Sequence, residues 1–189
     1  MRKLVLLAHT SLDGFVAGKK GELTDFDASE ENLKFVCKLT EDADAALFGR
    51  ISYQLLQSFW PTAGSRSRAT KGEIAYSNWY NKAQKIVISK TMPKARPTNV
   101  MIVKRDIANV LCKLKEQPGK DILIFGSPAV SQLLMKLNLI DSYWIFFNPI
   151  IFGKGIPLFK DMKQKIKLKL TATRQFANGE IGLHYIVER

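Results

Sequence analysis

The sequence predicts an α/β fold with a mainly parallel central sheet, helices on both faces and antiparallel strands at the C-terminal end. Up to Asp141, short apolar runs alternate with helix-like stretches, which is typical of a parallel sheet covered by helices. From Ser142 onward, three strand-like stretches follow one another. The pair Asn178-Gly179 is a strong turn signal between the last two. We expect one domain over residues 1–189.

The individual elements follow from the hydrophobic periodicity. Short apolar runs predict buried strands, and apolar residues at i, i+3, i+4 and i+7 predict helices. Residues Pro61–Asn78 are small and polar, and we expect a long surface loop or lid there. The strands predicted before Ser142 are Lys3–His9, Ala45–Phe48, Lys85–Ile88, Val100–Val103 and Ile122–Phe125, and the predicted helices are Ser29–Thr40, Ser52–Phe59, Asp106–Lys115 and one beginning at Pro128.

The composition is that of an ordinary globular protein, with 46% hydrophobic and 24% charged residues. No apolar run approaches the about 18 residues of a membrane span. The first apolar run, Leu4 to Ala8, is too short for a signal peptide. Cys37 and Cys112 stand alone in helix-like stretches, which favours reduced thiols over a disulfide framework or a metal site. We therefore expect a cytoplasmic protein without a metal.

The net charge of +12 allows two kinds of partner, nucleic acid or a polyanionic small molecule. Part of this charge lies near the C-terminus, where Lys165, Lys167 and Lys169 alternate with apolar residues. Such alternation predicts a strand whose lysines lie on the solvated face. No aromatic residues interleave with these lysines, as a single-strand binding surface would require. Nucleic-acid binding is therefore the less favoured interpretation.

Several of the predicted parallel strands end in turns suited to an anion. In open α/β sheets, ligands bind beyond the carboxyl ends of the strands. The starts of helices favour phosphate there, because they carry unpaired N–H groups and the positive end of a dipole. The four turns are Gly49-Arg50-Ile51-Ser52, Ser89-Lys90-Thr91, Lys104-Arg105 and Gly126-Ser127-Pro128.

The chemistry of these turns favours NADPH over NADH. An NAD site usually places an acid near the ribose 2′-hydroxyl, whereas a 2′-phosphate calls for cations and hydroxyls. The turns contain no carboxylate before Asp106. The glycine fingerprint G-x-G-x-x-G is absent, so an ordinary Rossmann domain is excluded.

The sequence also resembles a known family, the C-terminal domain of RibD, the reductase of riboflavin biosynthesis, within the dihydrofolate reductase superfamily. The resemblance runs in order along nearly the whole chain. Two departures concern the substrate side, because Ser52 and Gln54 replace a Thr and a Glu, and Asp141-Ser142 replaces a usual Asp-Glu. The matching stretches are SLDGFVAG (11–18), DAALFGRISY (44–53), KIVISKT (85–91), DILIFGSPAVSQLL (121–134) and LIDSYWIFFNPIIFGKGIPLF (139–159).

The resemblance implies a dihydrofolate reductase-like fold and a homodimeric, NADPH-dependent reductase. In the family, the Gly-Arg turn and the Gly-Ser helix start contact cofactor phosphates, and the Ser-Lys/Arg-Thr turn takes the 2′-phosphate. No H-x-E or P-C-x-x-C motif is present, so we expect a reductase domain without the zinc deaminase of the bifunctional enzyme. The cofactor-binding residues implied are Gly49, Arg50, Ile51, Ser89, Lys90, Thr91, Gly126, Ser127, Pro128, Ala129 and Val130.

The substrate side is predicted from fewer observations. Ser11 and Asp13 follow the first strand, and we expect both to contact substrate, with Asp13 as the catalytic or proton-relaying carboxylate. The alternative for Asp13 is a turn cap beside Gly14. Trp60 is expected to stack on a flat substrate, with a core-capping Trp as the alternative. His9 and His184 receive no role.

Three other predictions concern the substrate and the reaction. Glu30 or Glu31 on the first helix would serve a true dihydrofolate reductase, although both also suit a helix N-terminal turn. A sugar phosphate would need cations, and Arg66, Arg68 and Lys71 lie in the predicted loop. The leading hypothesis is an NADPH-dependent reductase of a small planar or heterocyclic substrate, similar to 5-amino-6-(5-phosphoribosylamino)uracil reductase. The alternatives are a true dihydrofolate reductase, a basic nucleic-acid-binding protein, and a family member that binds cofactor but has changed its reaction.

Overall fold

The computed structural model describes residues 1–23, 26, 29–93, 99–162 and 164–189. The strands are β1 (Leu4–Thr10), β2 (Phe15–Ala17), β3 (Ala43–Gly49), β4 (Gln84–Ile88), β5 (Val100–Val103), β6 (Asp121–Phe125), β7 (Ser142–Phe147), β8 (Ile156–Pro157), β9 (Leu168–Gln175) and β10 (Ile181–Val187). The helices are α1 (Glu30–Glu41), α2 (Arg50–Ala63), α3 (Lys71–Lys82), α4 (Ile107–Glu116) and α5 (Pro128–Lys136).

Eight strands form one sheet in the order β5-β4-β3-β6-β1-β7-β10-β9. The first six in that order are parallel, and β10 pairs antiparallel with both β7 and β9. The short strands β2 and β8 form a separate antiparallel pair. The predicted fold class, a mainly parallel sheet finished by antiparallel strands, is confirmed.

Helices cover both faces of the parallel part of the sheet. On one face, Leu6 of β1 belongs to an apolar cluster with Leu111 of α4 and Leu134 of α5. On the other face, Leu7 packs in a second cluster with Tyr80 of α3, together with residues of α1 and α2. Neighbouring residues of β1 are thus buried on opposite faces, which explains why its sequence reads as a continuous apolar run.

The prediction of a long loop over Pro61–Asn78 is wrong. Helix α2 continues to Ala63, and α3 begins at Lys71, so the connection is only residues 64–70. A capping box starts α3, because Thr70 Oγ1 accepts from the Glu73 N–H at 3.2 Å and Glu73 Oε2 accepts from the Thr70 N–H at 2.8 Å. Buried Tyr76 then packs α3 against the sheet. The helix was missed because most of its other residues are polar.

The predicted lysine-bearing strand also differs from the structure. Strand β9 begins at Leu168, so Lys165 and Lys167 precede it, and all eight of its residues are exposed. The alternation therefore does not separate a buried face from a solvated one. The reason is the position of β9 at the edge of the sheet, paired with β10 alone, where Leu168 and Leu170 are 38% and 49% exposed.

The sheet order brings the predicted anion-binding turns to one edge. Gly49 is level with Ile88 of β4, and Ile88 is level with Val103 of β5. On the other side of β3, Leu7 of β1 is level with Phe125 of β6. Adjacent strands lie about 4.8 Å apart, so the turns after β5, β4, β3 and β6 form a continuous row. We call this row the strand-end edge.

Candidate functional site

The turns after β3 and β6 are joined by a direct hydrogen bond. The Gly49 N–H donates to Ser127 Oγ at 2.8 Å. This contact depends on an unusual backbone, since Gly126 and Ser127 have φ values of 52° and 49°, both in the left-handed region. The Ser131 hydroxyl, in helix α5, also stabilises this turn by donating to the Gly126 carbonyl at 2.7 Å. Two strand ends are thereby tied into one surface.

Two helices begin at this junction without a side-chain cap. Gly49 occupies the N-cap position of α2, and Ser127 occupies that of α5, with Pro128 in the first turn as predicted. The Ser127 hydroxyl bonds Gly49 instead of the first turn of α5, because the left-handed backbone turns it toward β3. The N–H groups at both helix starts are therefore left for solvent or an anion.

The Ser89-Lys90-Thr91 turn lies next in the row. The Ser89 hydroxyl accepts hydrogen bonds from the backbone N–H groups of Thr91, at 3.3 Å, and Met92, at 3.1 Å. The Ser89 N–H donates to the Val103 carbonyl of the neighbouring strand at 3.1 Å. Lys90 and Thr91 are exposed, so the turn offers an ammonium group and a hydroxyl to solvent.

The strand-end edge is cationic. Among the residues described there, the exposed cations along its turns are Arg50, Lys90, Lys104 and Arg105, and Asp106 is exposed beyond them. The other predicted cofactor residues differ in their placement. Ile51 is 74% exposed, Ala129 is exposed, and Val130 is buried beneath Gly49, whose Cβ, if present, would lie 3.1 Å from the Val130 side chain.

A cavity of about 620 Å³ opens beside this edge, between the sheet and helices α1, α2 and α3. Gly126 lines the cavity and also belongs to the strand-end edge, so the two regions meet there. A Cβ added to Gly126 would meet no atom within 4 Å, which shows that the space beside its backbone is open. The cavity wall is rich in aromatic rings, from Phe26, Phe59, Trp60, Tyr76, Phe125 and Phe146.

The charges of the cavity are opposite to those of the edge. Among the described residues that line it, Glu30 and Glu73 are the charged ones, and neither Lys nor Arg contributes. Lys34 pairs with Glu30 at 3.0 Å on the exposed side of α1. Arg66 stacks over the Phe59 ring at 4.2 Å and is the predicted loop cation that contacts the wall.

The predicted catalytic residue Asp13 lies in a hydrogen-bonded loop. It accepts from the Ser11 hydroxyl at 2.7 Å and from the N–H groups of Phe152, at 3.1 Å, and Gly153, at 2.8 Å. The Ser11 hydrogen bond, aided by these backbone bonds, lowers the pKa of Asp13. Neither Ser11 nor Asp13 is among the described residues that line the cavity, although Phe152 stacks on Phe26 of the wall at 5.2 Å.

The other predicted substrate residues are divided between the cavity and the surface. Trp60 lines the cavity and packs on Tyr76, with ring centroids 4.2 Å apart. Burial raises the pKa of Tyr76 well above its ordinary value, so its phenol stays neutral. Glu30 lines the cavity, whereas Glu31 turns away and binds Arg174 at 2.9 Å.

The sequence did not predict a cluster of three polar side chains, His9, Asn32 and Glu180, beside the cavity. His9 and Asn32 line the cavity, and both bond to the carboxylate of Glu180, which is fully buried. His9 and Glu180 are 171 positions apart in the chain, and Asn32 and Glu180 are 148 apart. No local pattern connects such residues. The one available signal was the place of His9 at the carboxyl end of β1.

A second cavity of about 570 Å³ lies at the opposite end of the sheet, near the amino ends of β1, β6 and β7. It is lined by Trp144 and His184, whose rings stack at 4.7 Å, and by Lys3. Burial, aided by the charge of Lys3, lowers the pKa of His184. This cavity does not adjoin the strand-end edge.

Two further features bear on the kind of site. Within the described ranges, no group of three or more His, Cys, Asp or Glu side chains is placed to hold a metal ion. None of the described helices is long and apolar enough to cross a membrane.

Comparison with known proteins finds a matching family and solved structures with a similar fold. The family described as the RibD C-terminal domain matches residues 2–181. The uncharacterized protein YyaP of Bacillus subtilis is 31% identical over 186 residues, covering 97% of this chain and 94% of YyaP. A putative riboflavin biosynthesis protein from Shewanella is similar in structure, with a TM-score of 0.71, 21% identity and 99% of each chain covered. Dihydrofolate reductase from Enterococcus faecalis, complexed with NADP(H), has a TM-score of 0.64 and 15% identity, with 99% of this chain and 97% of that chain covered.

Proposed function

The chain belongs to the RibD C-terminal domain family, and on that premise we propose that it is an NADPH-dependent reductase of a small planar heterocycle. One observation carries the proposal. A cationic row of uncapped helix starts and an aromatic cavity meet at the backbone of Gly126. This arrangement can hold a phosphate-bearing cofactor on one side and a flat substrate on the other.

The residues of the strand-end edge fit the chemistry of NADPH. The free N–H groups at the starts of α2 and α5 suit the phosphates that join the two nucleotides, and Arg50 adds a permanent charge. Lys90, with the hydroxyl of Thr91, suits a 2′-phosphate. The open space at Gly126 allows a ring to pass close to the backbone. When bound, NADPH would supply the hydride.

The cavity favours a substrate whose enclosed part is uncharged. Its aromatic wall suits a flat ring, and Glu30 and Glu73 disfavour an anion there. A substrate with a sugar phosphate, as in the uracil reductase of riboflavin biosynthesis, would need its phosphate outside the cavity, toward Arg66 on Phe59. We propose that the reduction acts on a C=N or C=O group of the enclosed ring.

Dihydrofolate reduction is the second candidate. It is favoured by the place of Glu30, a carboxylate on α1 that lines the cavity. The side chain of α1 that is most deeply buried against the cavity, however, is Asn32, which is 5% exposed. An amide carries no negative charge and cannot hold a proton for transfer to the substrate, as a carboxyl group can. We therefore propose a heterocycle other than dihydrofolate as the substrate.

The cofactor is tested first by thermal unfolding with NADPH and, separately, with NADH. A ligand at 100 times its Kd should add about 2.7 kcal/mol to the free energy of unfolding. We expect NADPH to stabilise more than NADH, and Lys90→Ala to remove that preference. Lys136→Ala, which changes an exposed lysine at the far end of α5, is the matched control. If neither nucleotide stabilises the protein, the reductase proposal fails, and nucleic acid becomes the better explanation of the +12 charge.

The reaction is tested next by NADPH oxidation with a panel of acceptors. The panel contains dihydrofolate, pterins and aminouracils with and without a ribose phosphate. Oxidation with dihydrofolate above the other acceptors would favour the second candidate. Oxidation with an unphosphorylated heterocycle is the expected result.

We also propose that the chain forms a homodimer, as the family resemblance implies. The exposed strand β9 supports this, since Leu168 and Leu170 lie uncovered at the sheet edge. Light scattering after gel filtration should give twice the chain mass. Leu170→Asp should shift the mass toward that of a single chain.

A further inference from the structure

The carboxylate of Glu180 is the most deeply buried charged group beside the cavity. Its residue is 0% exposed, and its two oxygens bind different partners. Oε1 lies 2.7 Å from His9 Nδ1, and Oε2 accepts from Asn32 Nδ2 at 2.8 Å. Both partners line the cavity, so one buried carboxylate orients two polar side chains that face the substrate space.

Stability alone does not explain this arrangement. Removing a carboxylate from water is costly even when it is paired, and apolar residues of similar volume often serve stability as well or better. The core cluster on this face of the sheet is apolar and includes Phe146 and Phe176. A buried polar network in such a core therefore points to a role in the adjoining cavity.

His9 lines the cavity, and its second ring nitrogen, Nε2, takes no part in the contact with Glu180. The imidazole stacks on Phe146 with ring centroids 4.8 Å apart and an interplanar angle of 16°. Gly182 leaves space for the Phe146 ring, since a Cβ at Gly182 would lie 3.1 Å from that ring. The His9 side chain is 38% exposed, and Nε2 has no hydrogen-bond partner among the described residues. Asn32 likewise keeps its Oδ1 free of bonds to the described part of the chain.

His9 also lies next to the proposed cofactor position. The Gly126 N–H donates to the Leu7 carbonyl at 3.1 Å, which places the turn after β6 beside the last residues of β1. Both His9 and Gly126 line the cavity. A ring bound there would thus lie between the cofactor side and the imidazole.

The other titratable groups of the cavity wall are less suited to donate a proton. Glu30 pairs with Lys34 at the mouth, and Glu73 is bound to the N–H of Thr70. Tyr76 is fully buried, which raises its pKa and makes it a poor acid. His9 is the remaining side chain of the described wall whose chemistry suits a proton donor.

We propose that His9 is the catalytic acid of this reductase and that Glu180 is its positioning residue, an inference that rests on the proposed function. In the step, the carbon of a substrate C=N bond gains a hydride from NADPH, which leaves as NADP⁺. The electron pair of the π bond moves to the nitrogen, which takes the proton from Nε2 of protonated His9. Neutral His9 is then reprotonated by water, and Asn32 Oδ1 accepts a hydrogen bond from a ring N–H of the substrate.

The geometry is tested without any substrate by NMR of ¹⁵N-labelled histidine. The chain has two histidines, so His9→Gln assigns both sets of signals. The proposal assigns the proton of the neutral His9 ring to Nδ1, where it is donated to Glu180 Oε1, and leaves Nε2 for the substrate. We expect this tautomer in the native protein and its loss in Glu180→Gln. A neutral His9 with its proton on Nε2 would overturn the inference.

The catalytic role is tested with the acceptor from the panel that gives the fastest NADPH oxidation. His9→Gln should lower kcat about 100-fold, as expected for loss of a general acid, and leave the Kd for NADPH within about twofold. The native rate should fall as the pH rises, as expected when a general acid takes part, and the variant should show a low, flat profile. His184→Gln, at the opposite end of the sheet, is the matched control and should keep the native profile.

The outcomes separate this inference from the proposed function. A native protein that binds no NADPH overturns the proposed function, whatever the His9 tautomer. A protein that binds and oxidises NADPH, but whose His9→Gln variant keeps its kcat and pH profile, overturns the inference alone. The same holds if Asp13→Asn, and not His9→Gln, removes the pH dependence, since Asp13 would then be the proton donor.

Discussion

The strand-end edge and the cavity lie side by side, yet they are built in different ways. The edge consists of exposed turns whose cations, hydroxyls and N–H groups come from a few consecutive residues. The cavity is aromatic and acidic, and its polar end is assembled by Glu180 from residues 171 and 148 positions away. A few consecutive residues can thus form a site for an anion, whereas several elements must pack together to enclose a flat ring.

The two regions also differ in how far their charged side chains are removed from water. Arg50 and Lys90 are exposed, so their charges keep their hydration and are screened by salt. Glu180 is removed from water and must be satisfied by hydrogen bonds. Changes at the edge should therefore alter binding more than folding, and changes at the polar end of the cavity should alter both.

The largest effect is expected where the two regions meet. Gly126→Val adds a side chain in the left-handed region, at φ 52°, and fills the open space beside the cavity. We expect a loss of about 2 kcal/mol in the free energy of unfolding and about 100-fold in NADPH affinity, measured by urea titration and calorimetry. Gly179→Val, with φ 86° in the last hairpin, should lose similar stability but no affinity. If the two variants bound NADPH equally well, Gly126 would not belong to the cofactor site.

A smaller effect is expected from the charge of the cavity. We expect uridine to bind about tenfold more tightly than uridine 5′-phosphate, because Glu30 and Glu73 disfavour an anion in the cavity. Glu30→Gln should reduce this ratio, and Glu41→Gln, at the far end of α1, should leave it unchanged. The measurement is a competition titration at low salt. Tighter binding of the phosphate would instead support a phosphate site near Arg66.

The bond between the two strand ends should have a moderate effect on both binding and folding. Ser127→Ala removes the acceptor of the Gly49 N–H, and we expect a loss of about 1 kcal/mol in stability and a several-fold loss in NADPH affinity. Ser58→Ala removes a hydroxyl bond to the Leu55 carbonyl on the exposed side of α2. That control should change neither quantity by more than a few tenths of a kcal/mol. A Ser127→Ala variant with native stability and native NADPH affinity would show that the Gly49–Ser127 hydrogen bond contributes to neither.

The smallest effect concerns His184, at the end of the sheet away from both regions. Because burial lowers its pKa, the unfolded chain binds the proton more tightly than the folded chain does. Its contribution to stability is therefore complete above about pH 6.5, the ordinary value, and declines as the pH falls toward the lowered pKa. Urea titrations between pH 5 and 8 should show a shallower acid decline in His184→Gln. An unchanged decline would assign the effect to other groups.

Much of the fold was predictable because its signals are local. The parallel strands are buried on both faces, so each reads as an apolar run, and α5 shows its inward face by periodicity. The failures occurred where local signals were weak. Helix α3 has few apolar residues, although the Thr70–Glu73 capping box was present in the sequence. Strand β9 alternates in sequence but lies exposed at an edge, which only its pairing decides.

The same division holds for the candidate site. Turn residues such as Gly49, Ser89 and Gly126 are readable in the sequence because a turn's chemistry depends on its own few residues. Their order along one edge follows from the parallel fold class. The predicted roles of Asp13 and Trp60 remain predictions, with Asp13 held in its loop and Trp60 in the cavity wall.

The sequence by itself determined the fold class, the family and the cationic turns, because these depend on periodicity and on residues close together in the chain. Only the tertiary structure decided that His9 and Asn32 share the buried carboxylate of Glu180 and that an acidic, aromatic cavity adjoins a basic edge. The physical reason is that burial and hydrogen bonding act between neighbours in space. The strand order made neighbours of β1, β7 and β10, whose residues lie at opposite ends of the chain.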